Sequence, residues 1–79
     1  MNIPGPQDIQ ADLQRAINIA SNIDVYYEKL IKGNTRRTAY GERMILHDAE
    51  YLRALANGIV AGVTARYEEY KYNCEPANR

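Results

Sequence analysis

Apolar residues recur along the first third of the chain at Ile9, Leu13, Ala16, Ala20, Ile23, Tyr27 and Leu30. The steps alternate between four and three, the spacing of one face of an α-helix. Ile17 and Ile31 widen the stripe. Pro6 suits a first helical position, where its missing N–H would have no partner anyway, and Asp8 sits in the positive first turn. Gly33, with Asn34 beside it, is the expected stop. These signals predict a helix over about residues 6–32. A second stripe runs through Ile45, Ala49, Leu52, Ala56, Ile59, Val63, Tyr67 and Tyr70, with one step of four where three was due. It predicts a helix over about residues 38–72. Thr35 or Thr38 can cap it by accepting its free N–H groups. Pro76 cannot continue a regular helix, so short disordered tails are expected outside the helices. The linker is short, which makes the helices antiparallel neighbours. The fold expected is an all-α, single-domain hairpin over residues 1–79. No strand pattern or internal repeat competes with it.

The stretch YLRALANGIVAGVTARY, residues 51–67, complicates this picture. From Ala54 to Ala65 it is apolar or small almost all the way round. Leu46, Leu55, Val60 and Gly62 lie off the main stripe. Gly58 and Gly62 stand four apart among Ala54, Ala61 and Ala65, and each glycine costs about 1 kcal/mol against alanine inside a helix. Close helix–helix approach is the physical reason on offer. One hairpin supplies one partner face, and the second helix has at least two to bury. The pattern therefore predicts a homo-oligomeric helical bundle, with Leu52, Leu55, Ala56, Gly58, Ile59, Gly62 and Val63 at the interface.

Length sharpens the argument. At 79 residues folding buries only roughly 60% of the unfolded chain's surface, so the core needs reinforcement. Cys74 is the single cysteine, which excludes a disulfide scaffold and is compatible with a reducing cytosol. One Cys and one His make no zinc set. The opening MNIPGPQDIQ has no basic region followed by an apolar run, so a signal peptide is not expected. The apolar stretch between Arg53 and Arg66 is shorter than the about 20 residues a membrane span needs. A soluble, cytoplasmic protein is expected.

The chain has no net charge, which argues against a general polyanion binder. The charge is nevertheless uneven. Residues 1–28 carry Arg15 against Asp8, Asp12, Asp24 and Glu28. Residues 29–43 carry Lys29, Lys32, Arg36, Arg37 and Arg43 against Glu42 alone. This basic turn is the best binding candidate. Two arginines at the mouth of a helix add guanidinium forks to free backbone N–H groups, an environment suited to phosphate. Part of the charge also has a structural reading, since Lys29 and Lys32 complement the negative end of the first helix. Seven tyrosines with no Phe or Trp is an unusual aromatic choice. Tyr27, Tyr67 and Tyr70 read as packing at the edges of a small core. Tyr26 and Tyr40, next to the basic cluster, are candidates to stack on bases. His47, with Glu50 three residues on, lacks the nucleophile or the further carboxylates that catalysis or a metal pair would need. No Walker loop, dinucleotide fingerprint or nucleophile elbow is present. An enzyme, a cofactor and a metal are not expected. A recognisable helix-turn-helix is missing too, which leaves nucleic-acid binding without support.

The segment ERMILHDAEYLRALANGIVAG resembles the second helix of phage-encoded helical-hairpin sponges, the anti-CBASS and anti-Thoeris hairpin family. The matching features are a short polar turn with arginines, then Ile45-Leu46, Glu50, an Ala-rich middle, and Ala56-Asn57 followed by Ile59. The YYEKLI that closes the first helix is similar to the family's first helix. The resemblance implies a homo-oligomer, often a hexamer, built on the second helix. It also implies pockets between subunits that sequester cyclic nucleotide signals without cleaving them. In such a pocket Arg36, Arg37 and Arg43 would take phosphates, and Tyr26 or Tyr40 the bases. The competing expectation is a small helical oligomer that inhibits a host or defence protein by direct contact.

Overall fold

A computed structural model describes residues 3–74. Two α-helices make up almost all of it: α1, Pro6–Lys32, and α2, Ala39–Cys74. Each boundary has a local cause. At the start of α1, the Asp8 carboxylate accepts a hydrogen bond from the Gly5 N–H at 3.1 Å and Pro6 opens the first turn. At its end Gly33 takes the left-handed conformation, φ 76°. There the Gly33 N–H donates to the Leu30 carbonyl at 3.1 Å and the Asn34 N–H to the Lys29 carbonyl at 2.9 Å. This is the Schellman closure that a glycine makes easy. Thr38, not Thr35, caps α2: its Oγ1 accepts from the Gly41 N–H at 3.0 Å. The expected disordered tails fall partly outside the described residues. Of the rest, Pro4 lies against α2, where the Arg66 guanidinium donates to its carbonyl at 3.1 Å.

The helices run antiparallel, so Tyr26 meets Glu42 near the turn and Ile9 meets Gly62 at the other end. The seam between them is rotated by one position from the stripes read in the sequence. On α1 the least exposed positions are Ile9, Asp12, Ala16, Ile19, Ile23, Tyr26 and Leu30. On α2 they are Gly41, Glu42, Ile45, Asp48, Leu52, Leu55, Ile59, Gly62 and Ala65. The anchors at every seventh residue are those expected, but the residues between them are not. Ile19 faces the seam in place of Ala20, and Leu55 in place of Ala56. The seam thereby takes the bulkier side chain at its middle and accepts Asp12 and Asp48 nearer its ends. Asp12 is satisfied there by the Arg15 guanidinium at 2.8 Å.

The result is a rod of 60 × 22 × 20 Å with a radius of gyration of 18.3 Å. A compact domain of this length has a radius near about 12 Å. Among the described residues no hydrophobic side chain is fully buried, and Gly62 is the one buried position. A methyl group on Gly62 would sit 3.4 Å from both Ile9 and Pro4. Gly62 is thus already covered inside the hairpin by Ile9 and Pro4. α2 is nine residues longer than α1, and its last turns run on beyond Pro4 and Ile9. Among the described residues no helix is long and apolar enough to cross a membrane.

Candidate functional site

The hairpin turn gathers the residues of interest from both helices. Tyr26, on the seam of α1, donates its hydroxyl to the Glu42 carboxylate in the first turn of α2 at 2.7 Å. The Arg37 guanidinium stands 3.7 Å from the same oxygen. The ring of Tyr26 lies against Gly41, where an added methyl group would come within 3.3 Å of it. Edge-on contact with Tyr27, ring centres 5.1 Å apart, completes its setting. The hydrogen bond to Glu42, with partial burial and the nearby negative charge, pushes the Tyr26 phenol above the ordinary tyrosine range. Tyr26 and Arg37 are therefore tied into the closure of the turn.

The other turn residues are differently placed. Tyr40 is 68% exposed. Among the described residues no carboxylate lies within ion-pair distance of Arg36 or Arg43. Arg43 edges an open groove of about 480 Å³ whose other walls are Tyr27, Glu42, Ile45, Leu46 and Ala49. The groove is apolar along its floor and charged at the turn end. Tyr27, expected to pack at the core edge, lines the groove, while Tyr26, expected to stack on a base, braces the turn. Glu42 is the turn residue to which no role was expected to fall. The available signal was position: a lone acid in the positive first turn of α2, inside a run of five basic residues.

A second groove, of about 320 Å³, opens on the opposite flank of the rod. Asp8 and Asp12 of α1 face Gly58, Ala61 and Ala65 of α2 across it. The residues expected at an oligomer interface are thus divided three ways. Leu52, Leu55, Ile59 and Gly62 face α1, Ala56 and Val63 lie on the Tyr27 flank, and Gly58 lines the acidic groove. His47 is exposed on α2.

Fold and turn together define a coreless two-helix hairpin with a basic, aromatic end. In comparisons with known proteins the chain matches no family model, and no curated protein or solved structure is significantly similar to it.

Proposed function

We propose that the chain is a non-catalytic, phage-type anti-defence protein that assembles with itself and sequesters a cyclic oligonucleotide or related nucleotide signal between subunits, in the cytoplasm. One observation carries the reading. The groove joins an apolar floor for a base to the Arg43 guanidinium, which has no carboxylate within ion-pair distance among the described residues, and a single hairpin leaves one side of it open. Arg36 and Arg43 supply the phosphate contacts, and exposed Tyr40 supplies a stacking face. Arg37 and Tyr26 hold the turn in shape through Glu42. Affinity comes from a pre-formed pocket, because no bond is made or broken. The resemblance of the second helix to the hairpin sponges supports the same ligand class. Calorimetric titration with a panel of cyclic di- and trinucleotides tests it. Binding of at least one, lost in Arg43→Ala, is the expected result. No heat from any of them, with the assembly intact, removes the reading.

A second reading rests on the far end of the rod. α2 extends past α1 there and leaves Tyr67, Tyr70 and Tyr72 exposed, the last at 79%. Tyrosine-rich surfaces suit protein partners, so direct inhibition of a host or defence protein is the alternative. Capture of one stoichiometric protein, abolished by Tyr70→Ser with Tyr72→Ser, would favour it.

A further inference from the structure

The hairpin has two flanks, and they differ. Positions one residue after the seam's intermediate residues form one flank: Leu13, Ala20 and Tyr27 on α1, Ala49, Ala56 and Val63 on α2. In an antiparallel pair these equivalent positions fall on the same side, as the groove shared by Tyr27 and Ala49 shows. Beyond them lie Ile17, Leu46 and Val60, the last 63% exposed. The charges on this side are Asp24 and Arg53 at its edge, one of each sign, and Glu42 and Arg43 at the turn end of the groove. The opposite flank carries Asp8 and Asp12 at the Gly58 groove, with Arg15 and Lys29 further along α1, and the Pro4 segment is fastened there by Arg66.

We infer that a second copy of this chain docks on the Tyr27–Ala49–Val60 flank, pairing two hairpins into a four-helix unit, and that the Gly58 flank stays outside this contact. Surface area argues for a second copy. The chain exposes 6406 Å², whereas a compact protein of 9.0 kDa exposes about 4,850 Å². The excess is about 1,550 Å², nearly twice the roughly 800 Å² that each partner gives to a standard interface. A long, largely apolar flank matched to itself by a two-fold axis hides such an area while its charges stay at the edge and the turn end. Docking on the other flank would take Asp8, Asp12 and Arg15 out of water. The contact also puts a second subunit beside the Arg43 groove.

The inference rests on the reading that the chain assembles with itself, and the experiment separates the two. In a Cys74→Ser background, Ala56→Cys and Ala61→Cys place one thiol on each flank. A short bis-maleimide at micromolar protein is expected to cross-link most of Ala56→Cys into covalent dimers and little of Ala61→Cys. Val60→Glu is expected to raise the dissociation constant of the unmodified assembly by at least about a hundredfold, read by sedimentation. If the wild-type chain assembles but Ala61→Cys cross-links in preference to Ala56→Cys, the assignment of the flank is overturned while self-assembly stands. If the wild-type chain sediments as a folded monomer at micromolar concentration, self-assembly itself fails and the flank is left to some other partner.

Discussion

Gly58→Ala gives a direct test of how α2 is used. Gly58 sits in the middle of a 36-residue helix, and a Cβ built on it would meet no atom within 4 Å. Within the hairpin the substitution neither loses nor gains a contact. What remains is backbone entropy, since glycine in a helix interior costs roughly 1 kcal/mol against alanine. The variant is therefore expected to be more stable by about 1 kcal/mol, which raises the melting temperature of a domain this small by about 4–8 °C. Far-UV circular dichroism melts at matched protein concentration read it out, because the midpoint of an assembling chain depends on concentration. Gly62→Ala is the built-in control. Its new methyl group lies 3.4 Å from Ile9 and Pro4, at the limit of contact, so its gain should be smaller. Gly62→Leu should drive Ile9 and Pro4 off α2 and lower the midpoint. A lower midpoint for Gly58→Ala, or a smaller assembly, would mean that another helix packs closely on Gly58. That would refute both the open-space argument and the choice of flank.

Three further outcomes follow from the turn. Gly33→Ala meets no atom within 4 Å but must hold φ near 76°, so it should cost about 1 kcal/mol in urea denaturation through the backbone alone. Thr38→Ala removes the bond to the Gly41 N–H and should cost about 1 kcal/mol, with the loss of helicity confined to the start of α2 in amide exchange. The Tyr26 phenol is raised in the folded chain, so its contribution is fully present below the ordinary tyrosine value of about 10 and disappears as pH rises through the folded value. The stability gap between wild type and Tyr26→Phe should therefore close in alkaline melts. A gap that stays constant across that range would contradict the bond to Glu42.

The all-α hairpin was legible because both helices carry strong periodicity and explicit end signals, Pro6 and Gly33 above all. The rotation of the seam was not. Each helix has an apolar arc wider than one partner can cover, and periodicity locates the arc without saying which edge turns inward. Residue volume decided it, through Ile19 over Ala20 and Leu55 over Ala56, together with the reach of the Tyr26 hydroxyl to Glu42. That bond joins residues sixteen apart and depends on the course of the turn, which no local pattern encodes. The basic cluster could be read from composition alone. Its internal division could not: Arg37 leans toward Glu42 while, among the described residues, Arg36 and Arg43 have no such partner. Gly62 is covered by Ile9 of α1 and by Pro4 just before it, contacts that the apolar pattern of α2 alone does not specify.

The rod also has an electrical direction. Residues 29–43, with five cations against one anion, sit at one tip, and Asp8 and Asp12 lie toward the other end of a body 60 Å long. A molecule without net charge thus behaves as a dipole. Two such dipoles lying side by side favour opposed orientations, the arrangement a two-fold axis across the rod would impose. With a Debye length near about 8 Å at physiological salt, this preference is weak at a distance and acts in the last steps of approach. It would select the relative orientation of neighbours without drawing them together from afar.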